Sequence, residues 1–409
     1  MSQSLYLCPA CGREFPADSF SFLCGCGGLL SVVPFTPAFP PAFPPAFPPA
    51  FQPRGAGASV RSVFRYAEAM PAFTGRGADG RDLGAAWRAA IERVSMGEGG
   101  TPLVRLDPGS PAVLLKADYL MPTLSFKDRG AAVLVAAALA AGAGKVVQDS
   151  SGNAGAAVAA YAARAGLECD IYVPAGTSPG KLAQIEAAGA RCVLVPGSRE
   201  DTARAALEAA GRGAADRSAF YASHVYNPLF YEGTKTYVLE IYEALGRLPD
   251  TLYVPLGNGT LVLGAWRALK DLKALGLIER YPRLVAVQAE RCAPILAAWR
   301  RLAENGATGA VTVEPVVNLG TEAEGIAIAA PKRGREVIAA LRELGGAVVA
   351  APEEGLAPAK AELAGRGLFV ETTSAACLAA YRASHAAGAT LDEGLVVLPL
   401  CGSGLKGLH

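Results

Sequence analysis

From about residue 59 onward the chain repeats one pattern. A short β-branched run is followed by a polar or glycine-bearing break, then by a longer alanine- and leucine-rich window of helical period. The runs are "AVLLKADYL", "KVVQDSS", "CDIYVPA", "RCVLVPG", "TLYVPLGNG", "RLVAVQAE" and "GLVVLPLCGSG". Helical windows include "AGAAVAAYAARAG" and "SPGKLAQIEAAGA". Alternation of this kind predicts α/β architecture, with parallel sheets covered by helices on both faces. Such sheets bind ligands beyond the carboxyl ends of their strands. Chemistry is therefore expected in the breaks.

With 409 residues the chain is longer than one compact core usually holds, so two or three folding units are expected. Only 18% of residues are charged and 51% are hydrophobic, which excludes disorder over most of the length. The net charge of +1 supplies no basic field for nucleic acid and no polybasic segment for a membrane surface. The most apolar window, "GAAVLVAAALAAGAG", is shorter than the ~20 residues of a bilayer span and is broken by glycine. The start, "MSQSLYLCPACG", has neither a basic n-region nor an apolar h-region. The expectation is a cytoplasmic protein with a small-molecule partner, bound neither to nucleic acid nor to membrane.

Composition divides the chain into three segments: a cysteine cluster at 1–33, a linker at 34–58 and the alternating strand-helix domain at 59–409. The linker repeats Phe-Pro-Pro-Ala. Proline at that density favours an extended polyproline II spacer, and a ligand for an aromatic groove is the other reading. Four of the nine cysteines form Cys8-x-x-Cys11 and, twelve residues later, Cys24-x-Cys26. Two cysteine turns around a short hairpin suit a tetrahedral thiolate site, and zinc is the ion expected there. With four cysteine ligands no position stays open, so the zinc would be structural. The other five cysteines are scattered as small core residues, and the odd total argues against a disulfide framework.

Three breaks carry chemistry. In "SFKDRG", Lys127 opens a helix. The partial positive charge there, and Arg129 if it lies close, would favour the neutral amine that attacks an aldehyde. A surface lysine paired with Asp128 is the plainer reading. In "DSSGNAG", Ser150, Ser151, Gly152 and Asn153 lead into a helix whose first amides and side-chain donors suit an oxygen-rich ligand. In "VPLGNGT", Gly257, Asn258, Gly259 and Thr260 let several N–H groups face one anion at a helix start. That loop lacks the Gly-Lys-Ser/Thr ending of a nucleotide cradle and suits a single small phosphate. An amine for an aldehyde, donors for a ring hydroxyl and a phosphate cradle together describe the needs of pyridoxal phosphate.

Residues from about 60 to 409 resemble the fold-type II pyridoxal-phosphate enzymes, the tryptophan synthase β-like fold, and among them the threonine synthases. The stretches that carry the resemblance are "GEGGTPLVRL", "SFKDRG", "SSGNAGAAVAAYAARAG", "GKLAQIEAAGAR", "NPLFYEGTKTYVLEI", "VPLGNGT", "VAVQAE" and "ETTSAACLAAY". "LCGSGLK" stands where the family has Thr-Gly-His-Gly-Leu-Lys. The resemblance implies two α/β subdomains with parallel or mixed sheets, preceded by a small zinc-ribbon-like segment found in some members, which are often homodimers. It makes Lys127 the lysine that bonds the cofactor and the acid/base of the reaction. Asn153 would meet the cofactor's 3′-oxygen, and the backbone of Gly257 to Thr260 would hold its phosphate. Ser150, Ser151 and Gly152 would grip the substrate carboxylate. Cys401 stands where the family sets a Ser or Thr hydroxyl beside the pyridine nitrogen. The implied activity is a lyase of threonine biosynthesis, turning O-phosphohomoserine and water into threonine and phosphate.

The chain departs from that family at two places. The family's "NP-x-R-x-E-G" arginine is Phe230, with His224 and Val225 at an upstream polar pair. Losing a buried arginine forfeits about 1.5–3 kcal/mol of charged hydrogen bonding to a phosphate. Leu124 replaces a glycine three residues before Lys127. Either His224, Lys235 or Arg129 meets the substrate phosphate, or the substrate has none. The alternative is a serine/threonine ammonia-lyase or β-replacement synthase on an unphosphorylated or shorter amino acid. A non-catalytic binding module would leave Lys127, Asn153 and the glycine loop without purpose.

Overall fold

The computed structural model describes residues 4–38, 62–304, 311–388 and 394–407. The Phe-Pro-Pro-Ala spacer lies outside the described residues from residue 39 onward. All seven β-branched runs form strands.

Two sheets organise the body. The larger runs in the order Ala347–Ala351, Arg283–Ala289, Thr251–Pro255, Val396–Pro399, Ser110–Lys116, Leu103–Asp107. Only its last pair is antiparallel. The smaller is wholly parallel, in the order Arg191–Val195, Glu168–Pro174, Lys145–Gln148, Phe220–Tyr221. No helix among the described residues is long and apolar enough to cross a membrane.

The helix Lys127–Ala140 is the hub. Every residue in it except Lys127 and Leu139 is buried, which explains why its sequence shows no polar face. It packs on the helices Leu229–Thr234, Asn153–Ala165 and Leu83–Val94. Two glycines permit the closest approach. A Cβ at Gly130 would stand 2.5 Å from the Phe230 ring, and one at Gly233 would stand 2.0 Å from the Arg129 carbonyl.

A three-stranded antiparallel sheet, Glu14–Pro16, Ser4–Leu7, Ser31–Val32, forms the N-terminal module. It is packed onto the body through aromatic edges. Phe20 meets Phe220 at 5.6 Å, and Phe22 meets Tyr221 at 4.9 Å and Tyr226 at 5.9 Å between ring centroids.

Candidate active site

Lys127 is fixed by a backbone seam between two loops. The Phe126 amide donates to the Cys401 carbonyl at 2.8 Å, Ser125 bridges Gly402, and the Ser403 amide donates to the Leu124 carbonyl at 3.0 Å. Leu124 adopts φ +63°, a left-handed conformation that suits the glycine the family carries there. The Lys127 amine lies 3.9 Å from the Phe126 ring centroid and meets no hydrogen-bond acceptor among the described residues. Burial lowers its pKa to about 8, while Cys401 and Glu371 pull the other way. Desolvation therefore makes this amine reactive.

Arg129 plays no part in that shift, contrary to the sequence expectation. Its guanidinium is fully buried and doubly paired: Nε and Nη2 donate to Asp118 at 2.8 Å, and Nη1 and Nη2 to Glu240 at 2.7 and 2.8 Å. Burial alone would push the Glu240 carboxyl up, but Arg129 and Lys116 hold it well below the usual carboxylate range. Lys235 is likewise engaged, 2.6 Å from Glu232 and 3.0 Å from Asp271. Neither cation is placed to meet a substrate phosphate. Asp128 does not pair with Lys127; it accepts from the Thr123 amide at 2.7 Å and from the Thr123 hydroxyl.

Ser150, Ser151 and Gly152 follow the strand Lys145–Gln148 and lead into the helix Asn153–Ala165. A Cβ at Gly155 would sit 1.8 Å from the Ser150 carbonyl, so only glycine lets the loop fold back over the helix start. Among the described residues the amides of Ser151, Asn153 and Ala154 meet no protein acceptor. Asn153 Nδ2 donates to the Glu371 carboxylate at 3.0 and 3.3 Å, and the Glu371 amide donates to the Gly402 carbonyl at 3.0 Å. Glu371 thus ties the second loop to the Cys401 loop. Sequence reasoning did not single it out, although an acid directly before the apolar helix Thr372–Ala386 was a legible signal. Burial raises its carboxyl pKa against the pull of Asn153, Lys406 and Lys127.

The glycine loop follows the adjacent strand. Thr251 lies opposite Val396 and Leu252 opposite Val397 in parallel, so the loops that follow these two strands, Gly257 to Thr260 and Cys401 to Ser403, leave the same end of neighbouring strands. Neighbouring strands are about 4.8 Å apart. The loop Gly257 to Thr260 therefore begins one strand away from Cys401, which touches the Lys127 segment. Gly259 takes φ +82° and caps the helix Thr260–Ala274. The amides of Gly257, Asn258, Gly259 and Thr260 meet no protein acceptor among the described residues. Four unspent donors at a helix N-terminus are what an anion would satisfy.

Cys401 is fully buried. Burial holds its thiol well above the ordinary value, with Cys377, Asp118 and Glu371 adding to the shift and Lys127 opposing it. The group is a neutral thiol. His224 follows the strand Phe220–Tyr221, with its ring edge-on to Phe230 at 5.9 Å and its Nδ1 buried without a hydrogen-bond partner among the described residues. Burial lowers the imidazole pKa to about 3, and the charges of Lys127 and Arg199 add to the effect. His224 is thus a neutral ring within electrostatic reach of Lys127. Phe230 is fully buried against Gly130.

Cys8, Cys11, Cys24 and Cys26 form a separate cluster. The Cys8 and Cys26 sulfurs are 3.6 Å apart, those of Cys11 and Cys24 3.5 Å, and all four lie within 4.8 Å of one another. Tetrahedral thiolates at about 2.3 Å from one ion would stand about 3.8 Å apart. A Cβ at Gly28 would fall 2.6 Å from the Cys8 sulfur, so the turn closes over the thiols only with glycine.

The desolvated amine, the neutral thiol and the amide cradle fit pyridoxal phosphate. Residues 94–402 match the family model described as "Pyridoxal-phosphate dependent enzyme", and the chain belongs to that family. Within it the chain is a lyase that resembles the threonine synthases. It is 36% identical to threonine synthase of Mycobacterium leprae, over 76% of this chain and 83% of the relative. It is 30% identical to threonine synthase of Methanocaldococcus jannaschii over 98% of this chain and 93% of the relative, so that likeness takes in the N-terminal module. The crystal structure of a T.th. threonine deaminase superposes with a TM-score of 0.61 at 26% identity, covering 78% of this chain and 97% of that one. Maize serine racemase has a TM-score of 0.64 at 20% identity, covering 78% and 93%, and shares the fold.

Proposed function

We propose that the chain converts O-phosphohomoserine and water to threonine and phosphate. The observation that carries this reading is a desolvated Lys127 amine one strand from an amide cradle with unspent donors, in a chain similar to threonine synthases over nearly its whole length. Bound pyridoxal phosphate supplies an electrophilic carbon and an electron sink for charge at the substrate α-carbon. Lys127 Nζ would hold that carbon in the resting enzyme. Once displaced, its neutral amine would take the α-proton and then a β-proton as phosphate leaves the γ-carbon, and would return protons to the γ-carbon and, after water has added at the β-carbon, to the α-carbon. A pKa near 8 suits one group acting as both acid and base.

The amides of Gly257 to Thr260 would hold the cofactor phosphate, and Asn153 its 3′-oxygen. Ser150, Ser151 and Gly152 would orient the substrate carboxylate. Cys401, a neutral thiol, would face the pyridine nitrogen without fixing a proton on it. A moderate sink favours elimination and replacement over transamination. His224 would offer a neutral ring to the leaving group.

One observation favours a second reading. Phe230 closes the place of the family's arginine, while Arg129 and Lys235 are bonded elsewhere. An unphosphorylated substrate, in a serine/threonine ammonia-lyase or β-replacement synthase, needs no cation there. Incubation with O-phospho-L-homoserine decides the matter: equimolar phosphate and threonine support the first reading. Turnover of L-serine or L-threonine to ammonia without phosphate release from O-phospho-L-homoserine establishes the second.

Residues 1–33 are read as a zinc-ribbon-like module with a structural zinc on Cys8, Cys11, Cys24 and Cys26. Residues 34–58 are read as a linker and 59–409 as the catalytic domain. The reading puts the enzyme in the cytoplasm, as a homodimer.

A further inference from the structure

The N-terminal module touches the body where the His224 loop runs. Tyr6 is buried, with the Asn227 side chain close enough to oppose the rise that burial causes in the pKa of its phenol. Asn227 shapes the turn: its amide donates to the Ser223 carbonyl at 3.1 Å, and its Oδ1 accepts from the Leu229 amide at 3.1 Å. Phe22 sets its ring against Tyr221 and Tyr226, on either side of His224 in the chain.

Arg333 joins the two parts. It is 1% exposed. Its Nη2 donates to the Leu30 carbonyl of the module at 3.0 Å and to the Tyr226 carbonyl at 2.9 Å. Its Nε donates to the Val225 carbonyl at 2.6 Å, which also accepts from the Tyr231 hydroxyl at 2.8 Å. Its Nη1 donates to the Glu336 carboxylate, at 2.8 and 2.9 Å from its two oxygens. Every nitrogen of the guanidinium is thereby engaged. The carbonyls of the two residues after His224 hang on a cation whose remaining backbone acceptor is four residues beyond Cys26. Opening the four-thiol turn would remove Leu30 from Arg333, and Phe22 and Tyr6 from the loop. A buried donor without its acceptor must then be met by rearrangement.

We propose that the cysteine module braces the His224 loop, with Arg333 as the positioning residue, so that substrate binding depends on the module being closed. The proposal rests on the reading that His224 lines the substrate site. The test uses the cofactor- and zinc-loaded full chain, the same protein after chelation, and the variants Arg333→Met and Phe22→Ala. Amide hydrogen exchange reads the brace: protection at residues 223–231 should fall on chelation and in both variants, and stay unchanged in the helix Lys127–Ala140. Titration of the visible cofactor band with O-phospho-L-homoserine and with L-threonine reads the site. Dissociation constants should rise roughly tenfold or more while the unliganded band is kept. Should Arg333→Met not fold, Phe22→Ala and chelation carry the test. Unchanged exchange at 223–231 overturns the brace. Faster exchange there with unchanged dissociation constants overturns its link to binding. A wild type that responds to neither amino acid refutes the reading of the site instead, and leaves the exchange result to judge the brace.

Discussion

Replacing Lys127 by methionine should stabilise the cofactor-free protein at neutral pH, and the gain should disappear in alkali. The lysine pKa falls from 10.5 in an unfolded chain to about 8 in the folded one, chiefly because the amine is desolvated. At about 1.36 kcal/mol per decade of proton affinity that is worth about 3 kcal/mol, trimmed to about 2–3 by remaining solvent contact. Below pH 8 both states hold the proton, and the native state bears the whole penalty. Between pH 8 and 10.5 the unfolded chain binds more protons than the native one, so wild-type stability rises with pH. Above 10.5 the penalty is gone. Methionine keeps the apolar stem and carries no charge, so the difference between the two proteins isolates this one group. Urea unfolding of both, at pH 7 and at pH 10.5, measures it. A difference that is the same at both values, or that grows toward alkali, refutes the claim that desolvation sets the reactivity of Lys127.

Cys401→Ser keeps a neutral group and should leave kcat within about tenfold of wild type, whereas Cys401→Asp should lower it by about 100-fold or more in a phosphate-release assay. Because burial lowers the His224 pKa to about 3, its ring should stay neutral from pH 5 to 8. A His224 proton resonance that titrates near 6.5 would contradict the buried geometry. Gly130→Ala should cost about 2–3 kcal/mol, since its Cβ would stand 2.5 Å from the Phe230 ring, and Phe230→Leu in the same chain should recover part of the loss in thermal unfolding.

The alternation of runs and windows made the sheets legible, and the strands that escaped did so for physical reasons. Phe220–Tyr221 is two residues long and shows no period. Ala347–Ala351, "AVVAA", is rich in the residue that most favours helix, and its neighbour Arg283–Ala289 makes it a strand. Lys127, the glycine loop and the four cysteines could be singled out because the roles proposed for them rest on local spacing. Arg129 was misread because adjacency in sequence is not adjacency in space. Residues two apart on a helix point about 200° apart, and the partners of Arg129 include Glu240, 111 residues away. Glu371 and Arg333 escaped for the same reason, as each acts on backbone and side chains far from it in the chain.

The helix behind Lys127 is enclosed on all sides, with glycines pressed against Phe230 and Arg129. Nearly every alteration along it is a collision or a hole, so random mutagenesis should find almost no tolerated change there. Variation that redirects such a catalyst toward new amino acids is confined to the strand-end loops and the brace beneath them. A selection for altered substrate preference should therefore return clones mutated around 150–153 and 223–231, and the hub unchanged.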